Sequence, residues 1–419
     1  MNRNQPASSG QYQITAMQMT TIASKAGLSC VLMVSLLTLL GGCDSGPGDS
    51  LYDPGYSGAP APIISSVTPE SPPAVVLAGV DTIVIAGENF SPDISKNFVY
   101  FNAVRAQVID GTDRQLQVRV PYLPLSDMQI RVSVMGAPDF SNGISYQLLP
   151  PAVRFGGLLA IQDPSALATD EAGNVYVSMF QGGTSIGIQR YTPDGQNSTY
   201  FSTPFNWMDL TFGPDGMLYA VRGVRAVFRL PAGGAQQTWA TLPVGAVLNA
   251  LEFDSQGALW TSSSTGTVYR IAPDNSILTF SLADEIQDLA IYDGHLYVAA
   301  TENGASNILR FPIDASGQLG PRQLHVAISG QFDTLARRLA FAADGSLLVG
   351  TGTAPGMVLV QPNGSAQAFY PGIITAPVRS MAWGSGTHMY ALARATAISD
   401  SRDRSAPDLI RIETRKPGA

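Results

Sequence analysis

Between Pro164 and Ile412 the chain alternates short apolar stretches with polar turns, and the same arrangement occurs six times. One copy, Asn249–Leu282, reads NALEFDSQGALWTSSSTGTVYRIAPDNSILTFSL. It predicts an apolar strand, a tight turn, a second strand with an aromatic residue near its start, a third strand ending near Arg270, and a fourth strand after a Pro-Asp turn. Each copy therefore predicts four short antiparallel strands.

The six copies are in phase, because a turn glycine recurs about every 40 residues. These turn glycines are Gly173, Gly216, Gly257, Gly294, Gly345 and Gly386. Glycine supplies the positive φ that tight hairpin turns require. A repeat of this length with four strands is typical of a β-propeller blade. The sequence therefore predicts a six-bladed propeller within residues 151–419.

The sixth copy ends too early to contain a fourth strand, since only a short tail follows Ile412. An unassigned apolar segment, Ala152–Phe155, precedes the first copy. We expect this segment to pair with the sixth blade as its outer strand, because an unclosed propeller would leave exposed edges. The markers resemble NHL repeats and the wider six-bladed group that includes gluconolactonase-type lactonases and streptogramin lyases.

Residues 63–150 predict a second all-β domain. Several short strands there alternate apolar and polar positions, as in an immunoglobulin-like sandwich. Three motifs, I-x-S-V-x-P from Ile64, G-x-N-F from Gly87 and V-x-F-N from Val99, resemble an IPT/TIG domain. The resemblance implies a spacer, a dimerisation unit or a binding domain, and it leaves these alternatives open.

Residues 1–43 predict a processing signal rather than folded structure. Lys25 precedes the apolar run Ala26–Leu40, which has the length of a signal-peptide core. The following Leu40-Gly41-Gly42-Cys43 resembles a bacterial lipobox, which implies lipidation of Cys43 after cleavage. The alternative is a plain secretory signal with a coincidental cysteine. The other cysteine, Cys30, lies in the removed segment, so the mature chain could form no internal disulfide.

Residues 44–62 are rich in Gly, Pro, Ser and Asp and lack periodicity, which predicts a flexible tether. We therefore expect a protein held on a membrane in the bacterial cell envelope by the lipid on Cys43. The sequence leaves open whether this is the inner or the outer membrane, and whether the protein faces the periplasm or the cell exterior.

Composition narrows the possible functions. The 419 residues include 42 glycines and 29 prolines and carry a formal net charge of −8. Nucleic acid is an unexpected partner, because binding it requires a cluster of basic residues. Only His295, His325 and His388 are present, which argues against histidine-based metal or acid–base sites. The G-x-S-x-G match that contains Ser185 lacks the helical pattern a catalytic serine turn requires. We expect no catalytic residue, metal or cofactor.

A propeller commonly binds ligands where its innermost strands begin, at the mouth of the central channel. Two positions before the first core residue of each innermost strand stand Ser165, Met208, Asn249, Gln287, Arg337 and Arg379. One position before it stand Ala166, Asp209, Ala250, Asp288, Arg338 and Ser380. The lactonases that the repeat resembles carry a metal-binding Glu near the start of blade 1, and Ser165 replaces it here.

This register predicts a polar mouth in which Arg337 and Arg379 face Asn249 and Gln287. Such a surface is suited to carboxylates or sugar hydroxyls. The alternative is that these residues cap strand ends and form inter-blade ion pairs with Asp209 and Asp288.

The sequence favours a non-catalytic recognition module whose propeller face binds a protein or a glycan. A propeller-type lyase or lactonase and a purely structural spacer are the alternatives.

Overall fold

A computed structural model describes residues 58–72, 74–395 and 407–419. In this part of the chain almost all regular structure is β-strand; a 3-10 turn at Ile94–Lys96 and the single-turn helix α1 (Ser329–Phe332) are short exceptions. No helix of the described residues is long and apolar enough to cross a membrane. The predicted lipidation site Cys43 and tether residues 44–57 lie outside the described ranges.

The first domain is an immunoglobulin-like sandwich of seven strands. They are β1 (Ile63–Thr68), β2 (Thr82–Glu88), β3 (Asn97–Phe101), β4 (Val104–Gly111), β5 (Gln115–Arg119), β6 (Met128–Val134) and β7 (Ile144–Tyr146). Their spatial order is β1-β2-β5-β4-β3-β6-β7, with antiparallel neighbours. Alternate residues of β6 are buried, as the period-two pattern requires. Inward residues such as Ile85, Val99 and Ile130 form its core.

The propeller follows as six four-stranded antiparallel sheets, which we number blades 1 to 6. Blades 1 to 3 contain β9 (Gln162–Thr169), β10 (Val175–Gln181), β11 (Thr184–Tyr191), β12 (Asn197–Phe201), β13 (Asp209–Phe212), β14 (Leu218–Val221), β15 (Ala226–Leu230), β16 (Gln237–Thr241), β17 (Leu248–Phe253), β18 (Leu259–Ser263), β19 (Thr267–Ile271) and β20 (Ile277–Ser281). Blades 4 and 5 contain β21 (Glu285–Tyr292), β22 (His295–Glu302), β23 (Ala305–Pro312), β24 (Gln323–Ala327), β25 (Ala336–Phe341), β26 (Leu347–Thr351), β27 (Met357–Val360) and β28 (Ala366–Ala368).

Blade 6 combines strands from both ends of the propeller sequence. It contains β29 (Ile374–Trp383), β30 (His388–Ala395), β31 (Asp408–Glu413) and, as its outer strand, β8 (Ala152–Arg154). In the antiparallel register Ile410 lies opposite Arg154, and Ile412 lies opposite Ala152. The backbone amide of Phe155 extends the pairing by donating to Leu409 O at 2.8 Å. The outermost strand of the last blade thus comes from the segment before the first.

The repeated turn and aromatic residues have a shared structural role. In blade 1 the Tyr176 hydroxyl donates to the turn carboxylate of Asp170 at 2.8 Å, and in blade 3 Trp260 Nε1 donates to Asp254 at 2.9 Å. The aromatic rings also pack between blades, as where Tyr176 meets Phe212 edge-on at 4.9 Å. The markers recur in phase because each one joins a turn to the neighbouring blade.

The sandwich and the propeller belong to one compact unit, residues 59–419, and they are in direct contact. Leu77 of the sandwich is buried in a cluster with Phe369, Tyr370 and Ile374 of the propeller. Nearby, the Arg415 guanidinium forms an ion pair with Asp81 and donates to Val75 O at 3.0 Å. Apolar burial with a polar bridge at its edge fixes the sandwich against blades 5 and 6.

Candidate ligand pocket at the channel mouth

The six residues at the predicted mouth register all line one pocket of about 390 Å³. They are Ser165, Met208, Asn249, Gln287, Arg337 and Arg379. The pocket is completed by Asn206, Trp207, Arg338, Pro377 and Val378. Each register residue stands two positions before the first core residue of its blade's innermost strand, and the ring of blades brings all six to one pocket. No carboxylate belongs to this lining.

Arg337 of blade 5 is one of the cations that line this pocket. Its Nη1 donates to Gln287 Oε1 of blade 4 at 2.9 Å. No Asp or Glu among the described residues forms an ion pair with it. Gly352 makes room for the guanidinium, since a Cβ added there would stand 3.2 Å from Arg337 Nε. Arg337 is thus held in place while its charge remains available to a ligand.

Arg379 of blade 6 is engaged differently. Its Nη1 forms an ion pair with Asp163 at the start of blade 1 and lies 3.4 Å from Pro164 O. Both side chains remain substantially exposed, so solvent weakens the pair. This contact is an inter-blade ion pair, but its acid is Asp163 and not Asp209 or Asp288, the partners considered from the sequence.

Asn249 of blade 3 contacts the pocket but is occupied by the fold. It is only 6% exposed. Its Nδ2 donates to Ile286 O at 2.7 Å, and its Oδ1 accepts from Ser262 Oγ at 2.9 Å. The bond to Ile286 joins blade 3 to blade 4 beside Gln287, and the bond from Ser262 fixes the amide within blade 3. Asn249 is therefore a positioning residue for the pocket.

Asn206 is a pocket residue that the repeat pattern does not identify. It precedes β13 in the loop between blades 1 and 2, where it meets the hydroxyls of Ser165 and Ser178. It stands four positions before the core residue Leu210, outside the two register positions taken from the sequence. The nearby Trp207 is fully buried beneath the pocket, and Trp260 lies in the inter-blade core, stacked on Phe280.

Asp209 and Asp288 lie below the mouth rather than in the pocket lining. The Asp209 carboxylate of blade 2 accepts from Leu251 N of blade 3 at 2.9 Å. The Asp288 carboxylate of blade 4 accepts from Leu339 N of blade 5 at 2.7 Å. A hydroxyl completes the series, because Ser380 of blade 6 accepts from Leu167 N of blade 1 at 3.1 Å. Every second blade is therefore hydrogen-bonded to the next one at the same register.

Arg338 occupies the equivalent position in blade 5 and closes the channel beneath the pocket. Its Nη1 donates to Arg337 O at 2.9 Å and to Gln287 O at 3.2 Å, and its Nη2 approaches Met208 O across the channel. The residue lines both the mouth pocket and a lower cavity of about 610 Å³. The lower cavity also contains Asp209, Asp288 and Glu252. One arginine thus separates an acid-free pocket from an acidic one.

The carboxyl groups below Arg338 are perturbed by burial. Desolvation raises the pKa of Asp209 to about 6 and that of Asp288 to about 7, and the Arg338 guanidinium opposes both shifts. Desolvation, followed by repulsion from Asp288, raises the pKa of Glu252 well above its usual range. The lower cavity therefore gains negative charge as the pH rises through neutrality.

Other residues considered from the sequence serve local structure. The Ser185 hydroxyl, on β11, donates to Phe205 O at 3.0 Å, and the loop of this motif leads into a strand. His295 Nδ1 lies 2.7 Å from Asp293 O, and His388 lies beside Glu413. Across the described ranges no group of three or more His, Cys, Asp or Glu side chains is arranged to hold a metal ion.

Comparison with known proteins identifies the first domain and the fold of the second. Residues 62–149 match the IPT/TIG domain family. In the described part of the chain, an IPT/TIG domain thus precedes a six-bladed β-propeller. No curated protein sequence matches it.

Solved structures resemble this chain at low sequence identity. A putative gluconolactonase is 18% identical with a TM-score of 0.50, over 64% of this chain and 93% of that one. A luciferin-regenerating enzyme is 13% identical with a TM-score of 0.51, over 64% and 97%. An auxiliary nutrient binding protein from Bacteroides thetaiotaomicron is 12% identical with a TM-score of 0.49, over 84% and 97%. At such identities the likeness concerns the fold alone.

Proposed function

We propose that this protein is an envelope-anchored lipoprotein that binds, without catalysis, a carboxylate-bearing protein or glycan at the mouth of an NHL-like propeller. The observation that carries the proposal is Arg337, a cation in the pocket lining that has no carboxylate partner among the described residues. The Gln287 side chain fixes its guanidinium, so a ligand carboxylate meets a donor that is already oriented.

The rest of the lining fits binding better than chemistry. The pocket contains amide, hydroxyl and guanidinium groups, and no Asp, Glu or His that could transfer a proton belongs to its lining. The buried carboxyl groups lie on the other side of Arg338, where Asp209 and Asp288 hold backbone amides of neighbouring blades. We therefore propose that the pocket residues bind the ligand, whereas Asp209 and Asp288 join neighbouring blades.

The N-terminal sequence features support an envelope location for this pocket. Lipid on Cys43 would anchor the mature chain, and residues 44–62 would separate the folded domains from the bilayer. The IPT/TIG domain, packed on blades 5 and 6, would orient the propeller and act as a rigid spacer. Such an arrangement suits capture of a ligand near the membrane surface.

The test is calorimetric titration of the full chain in mild detergent with matched pairs of ligands. One pair is a uronic-acid oligosaccharide and its neutral counterpart, and the other is a peptide containing Asp or Glu and its Asn or Gln counterpart. We expect at least one acidic member to bind about tenfold more tightly than its neutral partner, as loss of a charge-assisted hydrogen bond predicts.

Arg337→Ala should abolish that preference, whereas Arg310→Ala should retain it. Arg310 is a matched control, because its Nε donates to Gln323 Oε1 at 2.7 Å on the outer part of blade 4, away from the pocket. Equal binding of acidic and neutral ligands, or equal loss in both variants, would contradict the proposal. Turnover of a lactone by the wild type would favour the lyase or lactonase alternative.

A further inference from the structure

On the described propeller surface, exposed large apolar side chains are concentrated in one region near the mouth pocket. Those in this region belong to loops at the pocket end of blades 1 to 3, and we call them the apolar rim. The rim consists of Leu159, Ile161, Phe205, Met208, Val224, Val244 and Val247. The two other large apolar side chains exposed on the described propeller, Ile277 and Leu324, lie on outer strands. Val244, the extreme case, is 89% exposed.

The loops that carry the rim are joined to one another. The Gly182 amide donates to Ile161 O at 3.2 Å within blade 1, and Ser185 Oγ donates to Phe205 O at 3.0 Å between blades 1 and 2. Further along, the Gly223 amide donates to Leu248 O at 2.9 Å, which joins blade 2 to blade 3. These hydrogen bonds tie the loops that carry the rim to one another around blades 1 to 3, so the exposed apolar residues stand on one linked group of loops.

Two residues connect the rim to the polar pocket. Met208 belongs to both, since its side chain is exposed on the rim and lines the pocket. The Phe205 ring is covered on one face by the Arg222 guanidinium, 3.6 Å from the ring centroid. This cation–π contact holds the ring at the pocket edge, so the aromatic surface is ordered before a ligand arrives.

The charges around the mouth are unevenly distributed. The pocket cations Arg337 and Arg379 stand on blades 5 and 6, opposite much of the rim, whereas Arg222 of blade 2 lies against the Phe205 ring. Asp284 and Glu285 are exposed where blade 4 begins. An acidic ligand group would be repelled at blade 4 and attracted toward the arginines. A ligand that satisfies both features places its carboxylate in the pocket and its apolar groups over blades 1 to 3.

We infer that the ligand is a polypeptide segment that inserts an Asp or Glu side chain, or a terminal carboxylate, into the pocket and packs large apolar side chains on the rim. This inference rests on the proposed function and deepens it by choosing protein over glycan. The branched aliphatic side chains of the rim can pack against apolar side chains of a peptide. A sugar placed on the rim would instead have its hydroxyls desolvated without hydrogen-bond partners. The combination of a central charge contact with apolar anchors is typical of protein recognition.

The experiment selects a phage-displayed random peptide library on the full chain in detergent. The enriched peptides should share an acidic residue near large apolar residues. A synthetic peptide of the enriched sequence should lose about tenfold or more in affinity toward Val244→Asp and toward Arg337→Ala. It should stay within about twofold toward Leu324→Asp and Arg310→Ala. Leu324 is a matched control, because it is also exposed, at 62%, but lies on an outer strand.

Three outcomes would overturn the inference, and they separate it from the proposed function. If no peptide is enriched but a uronic-acid oligosaccharide binds in an Arg337-dependent way, the polypeptide inference fails and the proposed function stands. If neither class binds, both fail. If the chain forms a dimer that Val244→Asp converts to a monomer in sedimentation analysis, a second copy covers the rim and the inference is wrong. Thermal unfolding of each variant confirms that it is folded.

Discussion

The Asp288 carboxylate of blade 4 accepts a 2.7 Å hydrogen bond from the backbone amide of Leu339 in blade 5. Asp209 and Ser380 make the same contact from blades 2 and 6 to the blades that follow them. Blades 1 and 3 carry alanine at this register, and blade 5 carries Arg338. At this register three side-chain acceptors thus join one blade to the next, and Arg338 reaches backbone carbonyls of blades 2 and 4.

Removing the Asp288 acceptor should destabilise the propeller. Asp288→Ala leaves the buried Leu339 amide without its partner, and an unsatisfied buried donor costs about 1–3 kcal/mol. We expect the free energy of unfolding, measured by urea denaturation, to fall by about that amount. Glu171→Ala, at an exposed turn position, should change it by less than about 0.5 kcal/mol. Equal effects of the two substitutions would show that the inter-blade bond contributes nothing to stability.

The raised pKa values below Arg338 predict a pH dependence of stability. The pKa of Asp288, about 7 in the folded protein, lies above its value of about 3.9 in an unfolded chain. The folded state therefore binds more protons between these values, and stability falls as the pH rises through 7. The raised pKa of Asp209 acts in the same direction.

Asp288→Asn should weaken this dependence, because it keeps an oxygen acceptor for Leu339 N and removes the titrating group. We expect the variant to gain stability relative to wild type above pH 7 and the difference to shrink toward pH 4. Urea denaturation at pH 4, 6 and 8 measures the effect. If the free energy of unfolding of the variant changes with pH as much as that of the wild type, the titrating group is not Asp288.

The fold was predictable because its signals repeat. A turn glycine such as Gly257 and an aromatic residue such as Trp260 occupy the same place in successive blades, and each repeat was a separate occurrence of one pattern. The mouth register followed from that alignment, since one residue per innermost strand must reach the channel. The prediction of an all-β sandwich followed by a six-bladed propeller is confirmed.

Parts of the site were not predictable for physical reasons. Asn206 lies two residues before the mouth register, at a position where the residue type changes from blade to blade, so the repeat pattern does not mark it. The position of Arg338 depends on which of several carbonyls a long side chain reaches, and sequence spacing does not specify this choice. The apolar rim joins single residues from separate loops, and these loops come together only after the blades form a ring.

Lipidation of Cys43 stays a prediction and can be tested in cells. Cys43→Ser should abolish incorporation of a labelled fatty acid and move the protein from the membrane fraction to the soluble fraction, because lipid chains supply the membrane affinity. Cys30→Ser is the control, since this cysteine lies in the segment that is predicted to be removed. Membrane retention of an unlabelled Cys43→Ser protein would point to a different anchor.

The binding-module proposal also predicts that stability does not depend on a metal. A resident metal that binds only the folded state raises the melting temperature, and its removal lowers it. We therefore expect the full chain to unfold at the same temperature, within about 1 °C, with and without a chelator. Metal analysis of the same sample by mass spectrometry provides the independent check. A stoichiometric metal whose removal lowers the melting temperature would contradict the proposal. The next assays would then be lactone hydrolysis and lyase activity, in which the reaction rates of Arg337→Ala and Arg310→Ala are compared in place of their ligand affinities.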